Sequence, residues 1–104
     1  MTPIYGKPDF EKIVERGKGI IVVKFWRENC PPCQRVSQLL HDWEDLEEVP
    51  ATYYSVNPKD RGNWNICRKY KVQFFPTVLT FKDGVLINTC EGSLPSKKMV
   101  LGLD

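Results

Sequence analysis

Residues 20–26, IIVVKFW, are β-branched, lysine or aromatic throughout, with Gly19 immediately before them. A strand with one wet face alternates apolar and polar residues, whereas a run apolar at successive positions needs cover on both faces. The run therefore predicts the central strand of a sheet sandwiched between helices, and the rest of the chain must supply those helices.

The flanking segments do so by pattern. TPIY near the N-terminus reads as a short strand. Asp9 is placed to cap a helix whose Phe10, Ile13 and Val14 follow helical spacing, with Gly17 and Gly19 as its stop. Beyond the central run, Val36, Leu39, Leu40, Trp43 and Leu46 recur at steps of three and four, predicting a long amphipathic helix with Pro31 and Pro32 in its first turn. ATYYSV at 51–56 is a second long strand, and NPKDRG a loop. Trp64, Cys67 and Tyr70 are expected on one packed face of a third helix. TVLTF and VLINTC flank Lys82, Asp83 and Gly84, a hairpin around an Asp-Gly turn. SLPSKKMVLGLD opens with a serine, Ser93, suited to cap a short final helix. The order β-α-β-α-β-α-β-β-α predicts an α/β domain with parallel pairing in part of the sheet and an antiparallel edge.

A length of 104 residues predicts a single domain, 1–104. With 41% hydrophobic residues and three tryptophans, the chain can bury a core without metal or staples. A formal charge of +2, spread along the chain, argues against nucleic acid or anionic membrane as partner. The N-terminus lacks a secretory leader pattern and no stretch approaches a membrane span, so the expected location is cytoplasmic.

The chemistry concentrates in FWRENCPPCQRV, where Cys30 and Cys33 stand two residues apart with only proline between them. The pair falls between the buried strand and a helix start, where unpaired backbone N–H groups and the helix dipole favour negative charge. A cysteine there has its pKa drawn from ~8.5 toward ~7. Such a thiolate, Cys30, attacks a substrate disulfide, and Cys33 resolves the mixed disulfide. Zinc would need about four ligands, and the other candidates, Cys67, Cys90 and His41, are isolated in sequence. No metal site is expected. A structural disulfide and a nonredox domain that merely keeps the motif are the remaining alternatives.

Two motifs make the chain resemble the thioredoxin family along nearly its whole length. VVKFWRENCPPCQ resembles that family's strand, tryptophan and Cys-x-Pro-Cys helix start, and FFPTVLTFKDG its proline-threonine pair leading into a strand and turn. Gly92 also falls where the family keeps a glycine. The resemblance implies a thioredoxin fold, a central mixed sheet flanked by helices on both faces, with a cis peptide between Phe75 and Pro76. It implies a protein-disulfide reductase with no bound cofactor, its redox centre a Cys30–Cys33 disulfide. Expected partners are disulfide-containing proteins and a thioredoxin reductase-like donor passing electrons from NADPH, and the protein is expected to be a monomer. Trp26, Asn29, Phe75, Pro76, Glu91, Gly92 and Ser93 would border the substrate groove.

The departures bear on tuning. Lys24 stands where most of the family carries a buried aspartate, and its ammonium either lies buried under the motif or escapes to solvent. Asn29 replaces a tryptophan. Pro31 gives Cys-Pro-Pro-Cys, a variant also seen in tryparedoxins; with no N–H on Pro31 or Pro32, donors to the Cys30 thiolate are expected from Cys33 and Gln34. Lys24, Pro31, Pro32 and Pro76 are thus the expected redox-tuning residues, with a potential between roughly −280 and −200 mV. A glutathione-linked, glutaredoxin-like reductase and a redox-inactive binding module presenting Asn29, Phe75 and Trp64 are the alternatives. Trp64 is expected mainly in the core, and Cys67 as a small apolar residue on a helix face.

Overall fold

The computed structural model describes residues 1–92 and 94–102. The elements follow in the order β1 (Thr2–Pro3), α1 (Lys7–Phe10, continued by a π-helical turn over Glu11–Glu15), β2 (Ile20–Phe25), α2 (Pro31–Asp45) and β3 (Thr52–Val56). After these come α3 (Asn63–Lys69), β4 (Thr77–Lys82), β5 (Val85–Glu91) and α4 (Lys97–Val100). The five strands form one mixed sheet in the order β1-β3-β2-β4-β5. β3 is parallel to β1 and β2, while β4 is antiparallel to both β2 and β5. The apolar run is thus the middle strand, as its composition requires.

Alternation along β2 divides the core in two. Ile21, Val23 and Phe25 enter one cluster with Phe10 and Val14 of helix α1 and Ile66 and Cys67 of α3. Val22 enters the other, with Val36, Leu40 and Trp43 of α2 and Val100 of α4. Lys24 shares the parity of Val22, so its side chain is delivered to the α2 face. The β4–β5 hairpin turns through Asp83 and Gly84, both at positive φ, as a two-residue loop of matched twist demands. Gly84 also passes so close to α1 that a β-carbon would lie 2.2 Å from the Glu15 carbonyl oxygen, which fixes the hairpin tip.

Four expectations change. Helix α1 begins at Lys7, after Gly6, and Asp9 is not its cap. Its carboxylate instead accepts the Tyr5 N–H at 3.2 Å from within the first turn, because Pro8 already fits the helix start. Leu46 follows the last residue of α2 and is 67% exposed; the positive φ of Glu47 turns the chain away there. The packed face of α3 is Asn63, Ile66 and Cys67, with Tyr70 half-buried beyond it, and Trp64 is 57% exposed. The cap of α4 is Ser96, whose Oγ accepts the Met99 N–H at 3.1 Å; Ser93 lies outside the described residues.

Candidate active site

Cys30 occupies the N-cap of α2 and Cys33 its first turn, with Cα atoms 5.2 Å apart and the two sulfurs bonded to each other. Two prolines between them open the helix without an N–H to donate. The Cys33 N–H therefore becomes the donor to Cys30 Sγ, at 3.2 Å. The Gln34 N–H, expected to share that task, is committed to the Cys30 carbonyl oxygen at 3.1 Å. It makes the first intrahelical bond, which any helix opening at Pro31 would claim. Cys30 retains 9% exposure and Cys33 only 2%. This asymmetry makes Cys30 the sulfur that an incoming disulfide can reach.

The rim comes from the ends of β2, β4 and β5. The Phe75–Pro76 peptide is cis, and the Phe75 carbonyl oxygen stands 3.9 Å from Cys30 Sγ. The Pro76 carbonyl oxygen accepts the Gly92 N–H at 2.8 Å, joining the two loops. Pro76 and Gly92 border a cavity of about 180 Å³ with Pro32, Val36 and Leu94. Asn29 is exposed at φ 53°, a conformation asparagine tolerates better than most side chains. Trp26 is half-buried, and Glu91 is exposed beside Gly92. Of the expected groove residues, the structure thus brings Trp26, Asn29, Phe75, Pro76, Glu91 and Gly92 to the end of the sheet that carries the cysteines; Ser93 lies outside the described residues.

Behind the pair, Lys24 is only 6% exposed, which excludes the solvent-escaping conformation. Its ammonium donates to Ser37 Oγ on α2 and lies 5.5 Å from the centre of the Trp26 ring. Burial holds its pKa below the usual lysine range. Lys24 and Cys33 border one cavity of about 340 Å³, together with Trp26, Asn29, Ser37 and His41. Cys67 is buried under α3, and burial pushes its thiol up to about 11, so it is a weak nucleophile at neutral pH. Cys90 is buried in β5. Among the described residues no three His, Cys, Asp or Glu side chains gather as a metal site.

Sequence reading missed Asn63. It is fully buried; its Oδ1 accepts the Gly6 N–H at 2.6 Å, and its Nδ2 donates to the carbonyl oxygens of Ile4 and Asn57 at 3.0 and 2.9 Å. One side chain thereby ties the segment between β1 and α1 and the loop after β3 to the start of α3. The available signal was the Gly62-Asn63 pair, a glycine placed to break the loop just before the third helix.

The family model described as Thioredoxin matches residues 2–104. The thioredoxin of Rhodospirillum rubrum is 32% identical over 90 residues, covering 86% of this chain and 85% of that one. The chloroplastic thioredoxin Y2 of Arabidopsis thaliana is 28% identical over 92 residues; the match covers 88% of this chain but spans about half, 53%, of that protein. The crystal structure of Fasciola hepatica thioredoxin superposes with a TM-score of 0.74 at 26% identity, covering 88% of this chain and 86% of that one.

Proposed function

The chain belongs to the thioredoxin family, and from that premise we propose that it is a thiol-disulfide oxidoreductase that reduces protein disulfides through Cys30 and Cys33. The observation that carries this reading is the bonded pair at the α2 N-cap, with Cys30 the more exposed of two largely buried cysteines. In the reduced protein the Cys30 thiolate attacks one sulfur of a substrate disulfide, forming a mixed disulfide and releasing one substrate thiolate. Cys33 loses its proton and attacks Cys30 Sγ, which expels the second substrate thiolate. The substrate gains two electrons and the chain is left with the Cys30–Cys33 disulfide. Cys33 N–H, already aimed at Cys30 Sγ, offers the thiolate a charge-assisted hydrogen bond.

In this reading Asn29, Phe75, Glu91 and Gly92, together with Ser93 and Trp26, flank an extended substrate. The carbonyl of Pro76 is occupied by Gly92, which leaves Phe75 as the backbone partner beside the attacked sulfur. Lys24, Pro31, Pro32 and Pro76 tune the pair, through charge, missing donors and loop stiffness. A reductase drawing on NADPH returns the disulfide to the dithiol. The cytoplasm is the proposed compartment and the monomer the proposed state; no helix among the described residues is long and apolar enough to cross a membrane.

Turnover separates this reading from its rivals. With a dithiol donor, wild type should reduce a disulfide-bonded protein catalytically, Cys30→Ser should abolish this, and Cys33→Ser should stall as a mixed disulfide. Efficient turnover sustained by glutathione alone would assign the chain to the glutathione-linked class. Full binding to a partner by Cys30→Ser, with no turnover by wild type, would make it a binding module.

A further inference from the structure

Among the described residues, Trp64 is the largest apolar side chain left in solvent, although its helix is anchored from beneath. Asn63, the residue before it, is locked by three hydrogen bonds, so the indole is held at the surface by a rigid base. Leaving such a ring 57% exposed forgoes on the order of 1–2 kcal/mol of burial. Trp64 and Phe75 together wall two cavities, one of about 180 Å³ toward Arg27, Pro58 and Lys59 and one of about 440 Å³ toward Arg68 and Lys71. Phe75 is also the residue whose carbonyl oxygen approaches Cys30 Sγ. The two cavities therefore flank α3 and share Phe75 with the surroundings of the redox pair.

Its charge has one sign. Arg27, Lys59, Arg68 and Lys71 are the charged residues lining the two cavities, and all are basic. Glu28 stands against Lys59 at 3.4 Å, with both side chains more than half exposed, so it offsets at most one of the four. The Arg27 guanidinium lies 6.0 Å from the centre of the Phe75 ring. Rigid aromatic and arginine side chains are what protein interfaces use as anchors, and a basic rim steers acidic partners.

We propose that the Trp64–Phe75 groove docks an acidic segment of a disulfide-bearing protein, seating an apolar side chain between the two rings while its carboxylates meet Arg68 and Lys71. The segment lies a few residues from the substrate cysteine that Cys30 attacks, so the groove selects among disulfides that the redox pair alone treats alike. This rests on the dithiol reading of Cys30 and Cys33.

The test uses two synthetic peptides, each with one intramolecular disulfide and a leucine nearby, differing only in a Glu-Glu or a Lys-Lys flank. Hydroxyethyl disulfide, too small to reach the groove, serves as reference. Wild type should prefer the acidic peptide about tenfold in kcat/KM at low ionic strength, through KM, and about twofold in 0.5 M salt. The double variant Arg68→Glu, Lys71→Glu should reverse that preference. Trp64→Ala should lower kcat/KM for both peptides about tenfold, with hydroxyethyl disulfide unaffected in every variant. Equal turnover of the two peptides, or a preference that survives charge reversal, overturns the docking proposal while the dithiol reading stands. Failure of wild type to reduce hydroxyethyl disulfide overturns both. Tighter binding of a single-stranded dT oligonucleotide than of the acidic peptide, lost in Trp64→Ala, would assign the groove to nucleic acid and also overturn the proposal.

Discussion

Replacing Lys24 by methionine should stabilise the protein, although it removes both contacts of the ammonium, the hydrogen bond to Ser37 and the approach to the Trp26 ring. The side chain is 6% exposed, its hydrogen-bond partner is the neutral Ser37 hydroxyl, and its other contact is the Trp26 ring. Among the described residues it forms no ion pair with a carboxylate. Exchanging a buried charge for an apolar group of similar length gains about 1–4 kcal/mol. Against this stand about 1 kcal/mol for the hydrogen bond to Ser37 and about 0.5–1 kcal/mol for the ring contact. A net gain of about 1 kcal/mol at neutral pH raises the Tm of a domain this size by about 4–8 °C. The gain depends on pH, with a sign fixed by linkage. Burial lowers the folded pKa of Lys24, so between the folded and unfolded values the unfolded chain holds the extra proton and wild-type stability rises with pH. The advantage of Lys24→Met is therefore largest below the folded value and closes as the pH approaches the ordinary lysine value. Urea melts of both reduced proteins at pH 7, 8.5 and 10 measure it. A variant less stable than wild type at pH 7, or a difference independent of pH, would refute the picture of an ammonium buried without an anion.

Three further predictions address the scaffold. Asn63→Ala removes the partner of the Gly6 N–H and of the Ile4 carbonyl oxygen, while the Asn57 carbonyl oxygen keeps the Asp60 N–H, and should cost about 2–4 kcal/mol, read by denaturant melts; a loss under about 1 kcal/mol would contradict its anchoring role. Cys67, with its thiol pushed to about 11, should resist alkylation in the native protein at pH 8 and react only on unfolding, as counted by mass spectrometry. Burial would raise the pKa of Glu15, yet hydrogen bonds from Lys69 at 2.8 Å and Tyr70 at 2.5 Å outweigh it and leave the carboxyl below its usual value of 4.5. Glu15→Gln should thus cost about 1 kcal/mol at pH 7, a deficit that fades as the pH falls through the folded value of Glu15; a deficit unchanged at pH 3 would point to packing rather than charge.

The features legible in sequence were those decided locally. The run around Val22 and Val23 announced a central strand because its neighbours in sequence left no polar face. Cys30-Pro-Pro-Cys33 announced a helix start because proline fits there and few other places. The Asp83-Gly84 pair announced a hairpin for the same kind of reason. What was not legible depended on partners distant in the chain. The phase of α3 is set by the buried amide of Asn63 reaching back to Gly6 and Ile4, so Trp64, one residue on, is turned out of the core. The fate of Lys24 hung on whether Ser37 and Trp26 would hold it, and helical spacing could not say. Gln34 was misassigned by counting donors near Cys30 without asking which of them the helix itself would use.

Whether Cys30 and Cys33 form a reversible two-electron couple poised as a reductant is tested by equilibrating the protein in graded thiol-disulfide buffers, alkylating free thiols and counting them by mass, with Cys30→Ser as control. A reductant couple gives a single transition at about −250 mV, within the thioredoxin to glutaredoxin range, that is lost in the control. No transition across the buffer range would rule out such a couple, and a transition near about −120 mV would make the pair an oxidant instead.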